Sequence, residues 1–146
     1  MAWRRMGWSA ARRGGAVLGL VLAAGAPAAA DPSIGIELNR LEERGADCRA
    51  YLVLNNRGKD AYEAFKLDLV VFDKGGVIAR RLAVDIGPLR AEKRGVKVFD
   101  LGGLACRDVS QILVNDVIEC SGAKGREGEC VGMIELNSRA SAELSK

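Results

Sequence analysis

The chain has 146 residues, with 22 lysines and arginines, 19 aspartates and glutamates, and no histidine. Four of the arginines and none of the acids fall within the first 30 residues, so the remaining 116 residues carry 18 basic and 19 acidic side chains. A net charge near zero does not predict a nucleic-acid or anionic-membrane partner, and the absence of histidine removes the usual general base and the usual catalytic triad.

Residues 1–30 have the pattern of a secretory signal peptide. Arginines near the start precede an apolar run at residues 16–24, and Ala28 and Ala30 are small residues suited to cleavage before Asp31. The apolar run is shorter than the ~20 residues that a membrane-spanning helix needs, and no cysteine stands at the cleavage point to take a lipid anchor. The sequence therefore predicts a mature chain that begins at Asp31 and a periplasmic or secreted protein.

The export route stays open. Arg12 and Arg13 form a pair typical of twin-arginine signals. Gly14 and Gly15 follow them, however, where that pathway prefers bulky apolar residues. Both the general secretory route and the twin-arginine route are compatible with this segment.

The mature part opens with two strand-like segments. Ile34, Ile36 and Leu38 alternate with small or polar residues within 33–41, which predicts a strand with one buried face, placed at the edge of a sheet. The segment 47–55 contains a continuous apolar run. That run predicts a central strand.

The middle of the chain predicts a hairpin. Apolar residues occupy every second position from 65 to 71, the turn 73–76 ends in two glycines, and a second apolar segment follows at 77–86. Arg80 interrupts the apolar parity of that second segment. This interruption predicts either a β-bulge or an open edge.

Three more apolar segments follow a Gly-Pro turn. They lie at 96–101, 112–118 and 131–136, and small polar residues from 137 onward predict a frayed tail. Short strands with this spacing are typical of an all-β fold. We expect an immunoglobulin-like antiparallel β-sandwich of about seven strands, in a single domain over 31–146.

Part of the central stretch resembles a known family. The residues that carry the resemblance are Asn55, the segment 67–78 with its Asp-Lys-Gly-Gly turn, and the turn 87–89. They resemble the immunoglobulin-like domains of bacterial envelope proteins of the FxLYD type. The mature chain with its four cysteines also resembles an uncharacterised family of small exported bacterial proteins that are labelled by their (Tat-type) signal sequence. These resemblances imply a sandwich in the cell envelope and bring no catalytic residue.

All four cysteines fall in the mature part: Cys48, Cys106, Cys120 and Cys130. An even number of cysteines in a small exported domain predicts two disulfides. Zinc is disfavoured because the chain has neither histidine nor a Cys-x-x-Cys pair. Of three pairings, the sequence favours Cys120 with Cys130, which bracket a flexible polar loop, and hence Cys48 with Cys106. No metal and no cofactor are predicted.

Three other residues are candidates for binding. Tyr62 stands at a turn and is the aromatic residue most suited to act as a binding anchor. Arg80 and Arg81 would form a basic patch with Arg90, Lys93 and Arg94 if these side chains converged at one end of the sandwich. The alternative for these cations is a solvated turn that protects a sheet edge.

The expected function is that of an exported, non-catalytic binding or accessory module of the bacterial cell envelope, with an envelope protein as partner. Strand addition at the predicted edge 33–41 is the expected docking mode. The alternatives are a small-ligand or carbohydrate binder, a histidine-free hydrolase that uses Asp68, Asp116 or Glu119, and a purely structural envelope protein. The sequence predicts no nucleic-acid partner and no membrane span after signal removal, and it leaves the oligomeric state open.

Overall fold

The computed structural model describes residues 31–122 and 130–146. The predicted signal segment, with Ala28 and Ala30, and residues 123–129 of the predicted loop lie outside this part. No helix in the described part is long and apolar enough to cross a membrane. The strands are β1 (Ile34–Arg44), β2 (Asp47–Asn56), β3 (Tyr62–Asp73), β4 (Ile78–Asp85), β5 (Lys93–Leu101), β6 (Val109–Gly122), β7 (Ile134–Ser138) and β8 (Glu143–Ser145), with short 3₁₀ turns at Cys106–Asp108 and Cys130–Met133.

The strands form two four-stranded sheets that pack into a sandwich, which confirms the predicted all-β fold. The first sheet has the order β5-β2-β1-β7 and the second the order β4-β3-β6-β8. Neighbouring strands are antiparallel, except that β1 pairs with β7 and β6 pairs with β8 in parallel. The sandwich thus has eight described strands, where the sequence predicted about seven.

The core lies between the inner faces of the two sheets. Along β2, buried and partly exposed residues alternate without interruption, as expected for a strand whose successive side chains point to opposite faces. The largest fully buried side chains include Phe65, Leu67 and Leu69 of β3 and Ile34, Ile36 and Leu38 of β1. Since the inner faces are filled, a functional surface must lie on an outer face or along an edge.

The predicted edge position of the first strand is wrong. β1 lies inside its sheet, antiparallel to β2 on one side and parallel to β7 on the other. Ile36 faces Leu54 in the β2 register and Leu136 in the β7 register, and it is 1% exposed. Alternating apolar residues reveal which face of a strand is buried, but they carry no information on whether both of its edges are paired.

The predicted β3–β4 hairpin is confirmed. Asp73 closes its turn, because Oδ1 of this residue accepts hydrogen bonds from the backbone N–H groups of Gly75 and Val77. The register then shifts between Val71, which faces Arg80, and Phe72, which faces Ile78. The β-bulge and the open edge predicted at Arg80 are both present, since a bulge lies beside this residue and β4 is an edge strand of its sheet.

The predicted fraying of the tail is wrong. β7 includes residues beyond 136, and β8 adds a further short strand beside β6. Ala142 and Leu144 of the tail are buried in the core. Local sequence could not predict this, because the tail is held by distant strands and has only a short apolar pattern of its own.

Two disulfides tie the turns to the sheets, with the pairing that the sequence favours. Cys48 on the inner face of β2 is bonded to Cys106, and Cys120 of β6 is bonded to Cys130. All four cysteines are buried. Disulfides of this kind fit a protein that matures in an oxidising compartment.

Candidate functional site

Strand β5 presents the longest regular free edge among the described strands. It has nine residues, pairs with β2 without a register shift, and ends its sheet. The other edge strands are less available: β4 is bulged, while β7 and β8 have five and three residues and contact each other. Unpaired backbone N–H and C=O groups along a regular edge are a template for another strand.

A groove of about 330 Å³ runs beside the first half of β5. Residues 93–97 of β5 form one wall, and residues 86–90, which follow β4, form the other. Leu54, Ile86 and Leu89 contribute apolar lining and are themselves buried. The groove therefore combines an apolar interior with the backbone edge of β5.

All the charged side chains that line the groove are positive. Its lining includes the cations Arg90, Lys93, Arg94 and Lys97 and no carboxylate. None of the four cations forms an ion pair with another residue in the described part of the chain. A cleft lined by charges of one sign concentrates the electrostatic potential and attracts counter-charged ligands.

Two glycines shape the groove. A Cβ atom on Gly87 would lie 2.9 Å from the backbone nitrogen of Phe65, so the absence of a side chain lets the 86–90 wall approach β3 closely. A Cβ atom on Gly95 would have no neighbour within 4 Å. Gly95 faces Leu54 in the register with β2, and its missing side chain leaves that space open.

The 86–90 wall is fixed by backbone hydrogen bonds. Tyr62 and Leu89 exchange two of them, each with an N···O distance of 2.8 Å. The N–H of Ile86 donates to the carbonyl of Phe65, also at 2.8 Å. The wall thus continues the pairing of the second sheet and holds its side of the groove in place.

A second hollow, of about 390 Å³, lies on the outer face of the first sheet and shares Arg94 with the groove. Apart from Arg94, its charged residues are paired: Arg57 bonds Glu135 at 2.7 Å, and Glu37 accepts a hydrogen bond from Arg139 at 3.0 Å. The pKa of Glu37 is lowered, first by a hydrogen bond from Asn39 and then by Arg139. The basic groove therefore has the greater unsatisfied charge.

Comparison with known proteins identifies an architecture and no family. No family model matches the chain, and no curated protein matches it either. The solved structure of IrmA from Escherichia coli is similar, with a TM-score of 0.52 and 14% sequence identity over 70% of this chain and 89% of that chain. A similarity at this identity shows a shared fold alone.

The structure places Tyr62 in the core, so the prediction of an exposed anchor is wrong. The residue is 9% exposed, and its ring packs edge-on against Phe65 with centroids 5.6 Å apart. Its hydroxyl lies 3.9 Å from the sulfur of Met133. A tyrosine next to a turn can still face inward, and here the strand begins at Tyr62 itself.

The arginines and lysines of the predicted basic patch do not lie together. Arg81 lies on the outer face of the second sheet, bonded to Asp68, whereas a guanidinium nitrogen of Arg80 lies beside Gly103, just beyond the end of β5. The groove lies beside the first half of β5, away from this end of the strand. Arg80 and Arg81 are therefore separated from Arg90, Lys93 and Arg94, and only the latter three belong to the groove.

Neighbouring groups engage each of the candidate carboxylates. Asp68 accepts hydrogen bonds from Arg81 and Asn115, which lower its pKa. Glu119 is paired with Lys66 at 3.0 Å, and Asp116 caps the backbone N–H of Val117. A carboxyl group with a lowered pKa is a poor general acid near neutral pH.

Potential metal ligands do not cluster within residues 31–122 and 130–146. No group of three or more Cys, Asp or Glu side chains gathers there. The cysteines, which are the strongest metal ligands in the sequence, are consumed by the disulfides.

Sequence reasoning missed Lys97, Gly95 and Val96 as site residues. The cations Lys93, Arg94 and Lys97 and the valines Val96 and Val98 stand close together in the sequence. These residues form a candidate site because β5 lies at the edge of its sheet, and this position depends on which strands pair in the folded chain.

Proposed function

We propose that the chain is an exported, non-catalytic binding or accessory module of the bacterial cell envelope. The signal-like pattern of residues 1–30 and the two disulfides support export. The resemblance to exported envelope proteins supports the same location. The observation that carries the binding role is the free edge of β5 beside the groove.

Docking would proceed by strand addition to β5 in place of the edge first expected at 33–41. An extended partner segment would complete the backbone hydrogen bonds of β5, which supplies affinity, while side-chain positions along the edge supply specificity. Val96 and Val98 are 65% and 41% exposed on the outer face. Solvent-exposed valines on a free edge strand favour an added strand that covers them.

In-cell crosslinking of the full-length protein tests this proposal. The double variant Val96→Lys with Val98→Lys places like charges on the edge and should lose crosslinked envelope partners. Val77→Lys is the matched control, since Val77 is 62% exposed in the β3–β4 turn, and it should keep them. Retention of the same partners by the β5 variant, or capture of none by the native protein, would overturn the proposal.

A second candidate function is the binding of a small anionic ligand, such as an acidic saccharide. The volume of about 330 Å³ lies within the range of small-molecule sites, and the four cations, which have no ion-pair partner in the described part of the chain, favour an anion. Equilibrium dialysis with glucuronate tests it: Gly95→Leu should fill the groove and abolish binding, whereas Gly102→Leu, in open space beyond β5, should not. Equal binding by both variants would exclude the groove as a saccharide site.

A further inference from the structure

We infer that the β5 edge selects an acidic, extended protein segment in which glutamate or aspartate and apolar residues recur in a fixed order. This inference rests on the proposed binding function and names the class of partner. It is carried by the two rows of side chains that β5 presents to an added strand. The partner is defined by its chemistry and backbone geometry, since it must offer both carboxylates and a free strand edge.

The two rows follow from the register of β5 with β2. On the outer face, Arg94, Val96 and Val98 stand opposite the outward-facing residues of β2. On the inner face, Lys93, Gly95 and Lys97 stand opposite its buried residues. Each row therefore mixes cations with positions that accept apolar side chains.

An added strand would place one of its residues directly opposite each of these positions, with Cβ atoms about 5 Å apart. Carboxylates fit opposite Lys93, Arg94 and Lys97, because these cations have no ion-pair partner in the described part of the chain. Apolar side chains fit opposite Val96 and Val98, which they would cover.

The position opposite Gly95 takes a large apolar side chain. The open space at this glycine lies over Leu54, and Ile86 and Leu89 line the same groove. For an antiparallel segment, the preferred core then reads valine, glutamate, valine, leucine, glutamate, glutamate from the N-terminus to the C-terminus.

A second copy of this chain does not meet these requirements. Pairing of two β5 edges would bring the four groove cations of each copy close to those of the other, and like charges directly opposite one another destabilise strand pairing. The edge of β4 in another copy is bulged and carries arginines as well. Charge complementarity therefore favours an acidic partner over self-association.

The test uses the disulfide-bonded protein purified after export from its full-length sequence. Fluorescence anisotropy measures binding of a labelled peptide with the core given above and of a control peptide of equal composition whose three glutamates come first. The ordered peptide should bind more tightly, and its affinity should fall as salt screens the ion pairs. Equal affinities for the two peptides would overturn the inference.

A charge variant separates the role of the groove from general basicity. The triple variant Lys93→Gln, Arg94→Gln and Lys97→Gln should lower the affinity about tenfold, since an exposed ion pair contributes about two- to threefold. Arg80→Gln removes an arginine at the far end of β5 and should leave the affinity unchanged. If the triple variant binds like this control, the groove cations do not select the ligand and the inference fails.

Backbone methylation distinguishes an added strand from an anion that merely occupies the groove. Only one edge of the added strand bonds β5, so methylation of the odd-numbered peptide nitrogens and of the even-numbered ones should have unequal effects. Equal binding of both methylated peptides would overturn strand addition. Competition by inorganic phosphate or by phosphatidylglycerol vesicles at the same affinity would also overturn it, in favour of a small anion or a lipid surface.

The outcomes also separate this inference from the proposed function. A cellular partner that depends on Val96 and Val98 but not on the three cations overturns the acidic pattern and leaves the binding role of β5 intact. If partner binding depends on neither the valines nor the cations, both the acidic pattern and the binding role of β5 are overturned.

Discussion

Asp68 and Arg81 lie side by side on the outer face of the second sheet, where Arg81 donates two hydrogen bonds, from Nε to Oδ1 at 2.9 Å and from Nη2 to Oδ2 at 2.7 Å. Asn115 donates a third bond to Oδ2 at 2.7 Å. Asp68 is buried, whereas Arg81 is largely exposed. The pair links β3 to the edge strand β4, and it explains why a central strand tolerates a buried acid.

Stability should decrease at acid pH, partly through Asp68. Its pKa is lower in the folded protein than the usual value of about 3.9, chiefly because of the bonds from Arg81 and Asn115. A carboxyl group of this kind stabilises the fold above its ordinary pKa, and the stabilisation is lost as the pH falls through the folded value. Asp68→Asn should cost about 1–2 kcal/mol at pH 7 and less at pH 3, as measured by urea unfolding.

The control for this change is Glu63→Gln, an exposed carboxylate on the same strand. It should leave the free energy of unfolding nearly unchanged at both pH values. If Asp68→Asn is as stable as this control at pH 7, the ion pair does not contribute to stability.

The two disulfides should contribute unequally to stability. In the chain-entropy model, the bridge between Cys48 and Cys106, with a sequence separation of 58, is worth about 4 kcal/mol, and that between Cys120 and Cys130, with a separation of 10, about 3 kcal/mol. Replacement of each pair by alanine and urea unfolding measures both values. A larger loss for the short loop would show that enthalpic terms exceed the entropic one.

Much of the fold could be predicted from the sequence because its information is local. The alternation in β1 and β2 and the Asp-Lys-Gly-Gly turn of the β3–β4 hairpin each specify a strand or a turn within a few residues. The order of strands within the sheets is not local. The parallel pairing of β7 with β1 joins residues about one hundred positions apart, and no local pattern reveals it.

The burial of Ile36 on the core face of β1 gives a direct mutational test. Ile36→Lys would bury an unpaired charge, so we expect a loss of more than about 3 kcal/mol and an unfolded or aggregated protein. Val96→Lys, on the exposed face of the true edge strand, should change stability by less than about 0.5 kcal/mol. Circular dichroism and thermal unfolding distinguish the two outcomes, and a normally folded Ile36→Lys variant would contradict the burial of Ile36 in the core.

The candidate site was harder to predict than the fold. The cations from Lys93 to Lys97 are ordinary surface residues in the sequence, and their significance arises from the unpaired edge of β5 and the opening at Gly95. As an aromatic and a basic residue, Tyr62 and Arg81 are plausible binding residues by type, yet the fold uses them for packing and for an ion pair. Residue type alone cannot separate these uses.

The exported protein should begin at Asp31. Cleavage after Ala30 requires small residues at Ala28 and Ala30 and tolerates a larger one between them. We therefore expect Ala28→Leu or Ala30→Leu to block processing and Ala29→Leu to allow it, as measured by the intact mass of the protein after export. An unchanged N-terminus in all three variants would contradict the predicted cleavage point.

Replacement by alanine should destabilise the protein at Gly87 and have little effect at Gly95, the two glycines of the groove. At Gly87 the new methyl group would meet the backbone nitrogen of Phe65 at 2.9 Å and the carbonyl oxygen of Glu63 at 3.1 Å. Because backbone atoms of a central strand cannot move aside easily, Gly87→Ala should cost about 1–3 kcal/mol.

At Gly95 a methyl group would have no neighbour within 4 Å, so Gly95→Ala should change stability by less than about 0.5 kcal/mol. Urea unfolding of the two variants measures the difference. A loss at Gly87 without a loss at Gly95 would mean that the first glycine allows the groove wall to approach β3, while the second leaves the groove open. Equal losses would contradict the open space at Gly95, since only a buried or strained position there would respond to one methyl group.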